Sequence, residues 1–247
     1  RAVEGALDDR PLDPKTTTRR FVLACSDVDQ ICSVPRIAAT LAREMPRASL
    51  QIVSIDQLAA TDGLATGVID CAFAPRGAVS ERLHARALLE DEPAIVLRRD
   101  HPIAGARLSR AQFNALRHVD VWLVLGRPGV GNDLATAFLE RHGLVRQVAL
   151  VVPGFVPAAM VAASTDMAAS MPRRVAEVLS QSFPLRVVGL PASVPTMKMP
   201  LDLIWHPRTH DDPESSCFRR LVVDAVGESA ISRRRTAKRS PPRSSPR

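Results

Sequence analysis

The residues of this chain whose types could carry chemistry are six histidines, four cysteines and one glycine-rich loop. Of the histidines (His84, His101, His118, His142, His206 and His210) only His206 and His210 are close in sequence, in the stretch HPRTHDDP. With Asp211 and Asp212 beside them a surface metal site is conceivable. That stretch reads as a turn rather than a helix face, so a polar loop is the preferred reading and no metal is expected. Cys25, Cys32, Cys71 and Cys217 sit among apolar neighbours without the paired spacing of a zinc site and read as reduced core thiols of a cytoplasmic protein. Cys25 ends an apolar run, but no nucleophile elbow surrounds it. Gly126, Gly129 and Gly131 lack both the Lys-Ser/Thr pair of a phosphate loop and the spacing of a dinucleotide fingerprint. They read as a turn from strand to helix, whose free N–H groups could still hold an anion. Paired carboxylates for acid–base work cannot be assigned. No constellation argues for catalysis, no cofactor is implied, and the chain is read as not an enzyme.

Charge narrows the classes further. The chain has 247 residues and a formal net charge of +7, which suggests a nucleic-acid binder. Residues 233–247, however, hold seven basic residues and no acidic one. Subtracting those seven from the 33 leaves 26 basic against 26 acidic residues, so the body is electroneutral. With no Tyr, seven Phe and two Trp, a base-stacking surface is not expected either. No apolar run nears the ~20 residues that span a bilayer, and no membrane partner is expected. The basic tail has two readings: an arm adding salt-sensitive attraction to DNA, or a terminus that only aids solubility.

Positioning elements follow from periodicity. Residues 1–18, rich in Pro and Thr, read as a linker. Phe21 to Cys25 is a continuous apolar run, as for a strand buried on both faces. Ser26, Asp27 and Asp29 then open a helix, and Val34, Ile37, Ala38, Leu41 and Met45 line one helical face, with Pro35 a kink or a second start. Strands are expected at 50–55, 68–74, 94–97, 120–125, 148–152, 166–170, 185–190 and 201–205. Helices fall between them, including 134–142 closed by Gly143, 155–164, and one with Pro172 at its first position that runs to about Gln181. A last helix begins at Asp212 to Glu214 and is expected to stop at Gly227, with residues 229–247 a disordered basic tail. About nine strands alternate with six or seven helices, the pattern of parallel βαβ units, and a break near 98–102 favours two α/β lobes. No internal repeat is visible.

In open parallel sheets ligands sit beyond the carboxyl ends of strands. Here those places are Ser26-Asp27, the loop from Gly126 to Asp133 containing Asn132, then Pro153-Gly154-Phe155, and Met171-Pro172. Each precedes a helix and offers unpaired N–H donors. Arg127, Arg173 and Arg174 lie nearby in sequence, so a small anionic ligand fits the polarity, while Asp27 opposes an anion unless it faces away or accepts a ligand hydroxyl.

Five segments together resemble the effector-binding domain of LysR-type transcriptional regulators: RPLDPKTTTRRFVLACSD, ATGVIDCAFAP, LLEDEPAIVLRRDHPIAG, LERHGLVRQVALVVPGFVPAAMVAASTDMAASMPRRVAE and LDLIWHPRTHDDPESSCFRRLV. The resemblance runs from about Arg10 to Gly227 and lies nearest the nodulation and aromatic-degradation regulators. It implies a type II periplasmic-binding-protein-like fold: two Rossmann-like lobes, one of residues 19–95 and 200–228 and the other of 96–199, joined by two crossover hinge strands near 93–99 and 187–202. It further implies a small-molecule inducer between the lobes, a homodimer or homotetramer, and operator DNA as partner through an N-terminal winged helix-turn-helix not read in this chain, with Arg1 to Leu7 as the end of its linker. Position by position, the resemblance places Ser26, Asp27, Asn132, Pro153, Gly154 and Phe155 around the inducer, and Trp205 near the return crossing. Asn132 and Gly154 stand where relatives responsive to aromatic acids often have histidines, which argues against an aromatic carboxylate inducer. A solute-binding protein of a transporter and an enzyme on the same fold are the competing expectations.

Overall fold

The computed structural model describes residues 12–237 apart from 79 and 104. The first eleven residues of the expected linker and the tail from 238 onward lie outside the described residues. The first half of the chain runs β1 (Arg20–Cys25), α1 (Asp27–Cys32), α2 (Val34–Glu44), β2 (Ser49–Ser54), α3 (Ile55–Ala60), α4 (Gly63–Thr66), β3 (Cys71–Pro75), β4 (His84–Asp91) and β5 (Pro93–Arg98). The second continues with α5 (Arg110–Ala115), β6 (Arg117–Val121), α6 (Val130–Arg141), β7 (Gln147–Val152), α7 (Phe155–Ser164), β8 (Ala168–Pro172), α8 (Arg173–Ser182), β9 (Leu185–Val188), β10 (Met199–Trp205) and α9 (Pro213–Ala237).

Two five-stranded sheets result, ordered β2-β1-β3-β10-β4 and β7-β6-β8-β5-β9. Within each, the first three strands are parallel, and the fourth runs antiparallel to both the third and the fifth. The two orders are the same pattern, a repeat that topology shows and the residues hide. The chain passes between the sheets twice, at Glu92 and between β9 and β10. Pro93 to Ile95 therefore pair in the second sheet, slightly ahead of the expected boundary.

Apolar runs form the inner strands because these are covered on both faces, whereas the edge strands β2 and β7 are largely exposed. In the first sheet Phe21, Leu23 and Cys25 pack toward α2 and α9, with Phe21 stacked on Phe218 at 4.4 Å. Val22 and Ala24, pointing the other way, meet Val53, Leu64 and Ile204. In the second sheet Val96 and Val119 meet α7 and α8, while Leu97 and Ala168 meet Phe113 and Leu139.

Three expectations are corrected. Gly227 does not stop the last helix: α9 runs through it to Ala237, so residues 229–237 continue a helix instead of a disordered tail. A glycine at an ordinary helical φ costs only about 1 kcal/mol and breaks nothing by itself. Trp205 is not near a crossing. It ends β10 at the far side of the first sheet, opposite His84. Pro172 is the residue before α8 and the last of β8, not the first helical residue. The second-start reading at Pro35 holds: α2 begins at Val34 with the proline in its first turn.

Candidate ligand site between the lobes

The carboxyl ends of β1, β6, β7 and β8 lead into the contact between the two sheets, and the first side chain there is Asp27. Its Oδ2 accepts a hydrogen bond of 2.6 Å from the backbone N–H of Phe155, the first residue of α7 in the other lobe. The helix N-terminus that could have received an anionic ligand thus holds a carboxylate of the chain itself. Its partner oxygen, Oδ1, is buried without a hydrogen bond among the described residues. Burial pushes the Asp27 carboxyl above its ordinary range, and nearby Asp29 adds to this, while the amides of Phe155, Val28 and Asp27 oppose it. Gly154 permits the contact: a Cβ there would lie 3.0 Å from Asp27 Oδ2.

Ser26 faces the same junction but its hydroxyl is engaged, donating to Asp29 Oδ2 at 2.8 Å. Phe155 contributes its amide rather than its ring, which is 9% exposed and packs with Ala158, Ala159 and Val28. Pro153 and Gly154 form the bend between β7 and α7. Ser26, Asp27, Gly154 and Phe155 are therefore brought together, whereas Asn132 belongs to another cluster. Its amide donates to Asp120 Oδ1 and to the carbonyl of Val121, each at 3.2 Å. Arg146 completes that cluster with bonds to Asp120 (2.8 Å), Asn132 (3.1 Å) and Thr136 (2.5 Å). These residues line a cavity of about 430 Å³ between α6 and β6–β7.

Two of the three cations expected to favour an anion, Arg173 and Arg174, are also engaged. Arg174, 8% exposed, bonds Ser33 Oγ at 3.0 Å and pairs with Asp29 and Asp91. Arg173 pairs with Glu92 at the crossing itself. Both arginines thus tie the lobes together across α1 and the hinge, and the expectation of an anion held by them is corrected. Reading along the sequence missed Asp29 and Ser33 in this role. Their spacing of four, from α1 to the junction residue before α2, was the available signal, but their partner lies 145 and 141 residues away in the chain. Asp56 was missed too: its Oδ1 accepts from the amide of Leu125 at 2.6 Å, a further bridge between the lobes.

The remaining candidates have structural work. His206 Nδ1 accepts from the amide of Arg208 at 3.2 Å. His210 stacks on His84, with ring centroids 4.0 Å apart. Cys25 is fully buried, its thiol pushed up to about 12 by burial, so it is no nucleophile at neutral pH.

Two α/β lobes of like topology, joined by two crossings and bridged by side chains, have the architecture of a two-lobe binding domain. The family description "LysR substrate binding domain" matches residues 15–227, and the chain belongs to that family. It is 28% identical over 227 residues to the transcriptional activator NagR of Ralstonia sp, covering 92% of this chain and 73% of that protein. To the activator NahR of Pseudomonas putida it is 27% identical over 224 residues, covering 90% and 73%. A probable transcriptional regulator from Pseudomonas aeruginosa superposes with a TM-score of 0.73 at 29% identity, over 86% of this chain and 68% of that one. The regulatory domain of MexT, an activator of Pseudomonas aeruginosa, shares the fold with a TM-score of 0.71 at 23% identity, over 85% of this chain and 99% of that one.

Proposed function

We propose that the interlobe cleft binds a small-molecule inducer and that the bound state alters the relative placement of the lobes, which the assembled regulator passes to operator DNA. The chain is the ligand-sensing domain of a LysR-type transcriptional regulator rather than a transport protein or an enzyme, since its relatives are transcriptional activators. The observation that carries the cleft is the contact of Asp27 with the α7 amide, because it joins the strand ends of one lobe to a helix start of the other. A ligand entering there meets a carboxylate, so it brings a hydroxyl or N–H donor. This replaces the expectation of an anion.

Lobe I is read as residues 19–92 with 199–228, and lobe II as 93–198. A homodimer or homotetramer is supported by the exposed apolar residues on and beside edge strand β7: Val145, Val148, Leu150 and Val151. No helix among the described residues is long and apolar enough to cross a membrane. A cytoplasmic setting fits the unoxidised, buried thiols of Cys25 and Cys71.

The test is a thermal-shift screen of matched compounds, hydroxylated neutral molecules beside simple carboxylates. Ligands of the folded state raise Tm according to RT ln(1 + [L]/Kd). Donor-bearing neutral compounds should do so, and Asp27→Ala should abolish the effect. A response confined to carboxylates, or one indifferent to Asp27→Ala, sinks this assignment of the cleft.

A further inference from the structure

At the end of the first sheet remote from the cleft, β4, β10 and α9 enclose a groove of about 550 Å³. Arg86, Arg219 and Arg220 line it, together with Trp205, His210 and Cys217, and none of its lining residues is acidic. The three arginines are not equivalent. Arg219 is 7% exposed and fixed: it donates to the carbonyls of Thr209 (2.9 Å) and His210 (2.7 Å) and to Ser216 Oγ (2.8 Å), and lies over the Trp205 ring at 4.7 Å. Its charge is therefore built into the groove wall. Arg86 and Arg220 are exposed and form no ion pair among the described residues, Arg220 making only a 3.9 Å contact with Cys217 Sγ.

The aromatic part is equally ordered. Trp205 donates its indole N–H to His210 Nδ1 at 3.3 Å, so the neutral His210 ring carries its own proton on Nε2. His84 stacks on His210, and the indole and His210 planes differ by 2°. Leu12 and Pro14 supply an apolar wall. An electroneutral body has here concentrated three guanidinium groups, an imidazole donor and flat rings in one concavity.

We propose that this groove is a second ligand site, separate from the interlobe cleft, that takes a small organic anion with a flat apolar body. Arg86 and Arg220 clasp the anionic group by bidentate hydrogen bonds, Arg219 supplies fixed positive charge, and the body lies against His210 and the Leu12–Pro14 wall. The chemistry is opposite to that of the cleft, where Asp27 presents a carboxylate.

The test titrates the intact chain with sodium benzoate, with benzamide as its uncharged match and inorganic phosphate as an anion without a flat body, reading tryptophan fluorescence and amide NMR shifts. Benzoate should saturate at a millimolar Kd or tighter, with shifts centred on Trp205, His210 and Arg220. Arg86→Ala and Arg220→Ala should each weaken it about tenfold, the loss of a charge-assisted pair at an exposed site, with melting temperature unchanged. Asp27→Ala should leave it intact, which separates this site from the cleft. Benzamide binding as well as benzoate, phosphate binding as tightly, a failure to saturate, or binding that survives the Arg86→Ala/Arg220→Ala double variant would each overturn the proposal.

Discussion

Asp27 and Arg174 show how single side chains hold the two lobes in register. Burial raises the Asp27 carboxyl, so the folded state holds this proton more tightly than the unfolded chain does. Its ionisation therefore costs stability as pH rises from the unfolded value, about 3.9, through the folded one. Asp27→Asn keeps an acceptor for the Phe155 amide and loses the charge. Its denaturation midpoint relative to the parent should improve on going from pH 3 to neutrality, as measured by urea unfolding. Arg174 is the opposite case, a buried cation among Asp29, Asp91 and Ser33. Arg174→Ala leaves buried carboxylates uncompensated and should cost about 3–5 kcal/mol by the same measurement. Both residues stood out in the sequence, one as an obstacle to an anion and the other as an attraction for it. Only Asp27 kept its meaning, because the partner of Arg174 is set by the docking of a remote helix and not by neighbours in the chain.

Among elements, those enclosed on both faces were legible and those at the margins were not. β1 and β5 announced themselves as apolar runs because each lies inside its sheet, paired on both edges. β4 did not: as an edge strand it keeps His84, Arg86 and Glu90 toward solvent or half-buried, and HARALLED has no alternation to notice. α5 was overlooked although its capping box, Ser109 with Gln112, is complete. That short helix is anchored by buried His118 of β6, whose ring bonds the Phe113 carbonyl at 3.1 Å. Burial lowers the His118 pKa, with Arg146 adding to the effect. The neutral ring therefore stabilises the fold fully above about pH 6.5, and that contribution is lost as pH falls toward the folded value. His118→Gln should flatten the decline of Tm below pH 6.5. On the other sheet, Phe218→Ala removes the ring stacked on Phe21 from beneath α9 and should cost about 3–5 kcal/mol in urea unfolding.

For the molecule as a whole, the βαβ rhythm and the family resemblance made the two lobes readable, but the contents of the cleft were not. Contacts such as Asp27 to Phe155 and Asp56 to Leu125 join residues 128 and 69 positions apart, and nothing local encodes them. The basic tail makes its own prediction at this scale. If residues 233–247 reach DNA, removing seven cations should flatten the salt dependence of operator binding, measured in the assembled regulator. The log–log slope should fall by up to about 0.9 for each phosphate that the tail no longer neutralises. An unchanged slope would leave the tail a solubility device.

One feature of α1 governs how such a molecule can move. Val28, Ile31 and Cys32 begin in the first lobe yet pack with the core of the second. A hinged opening would drag that apolar wedge into water, whereas turning the lobes about it would not. The entering chain is pinned as well: Thr17 to Glu214, and Arg19 to Asp212 at 2.5 Å. Thr17 and Arg19 therefore move with the first lobe, so that any displacement of that lobe is carried into the segment that enters β1.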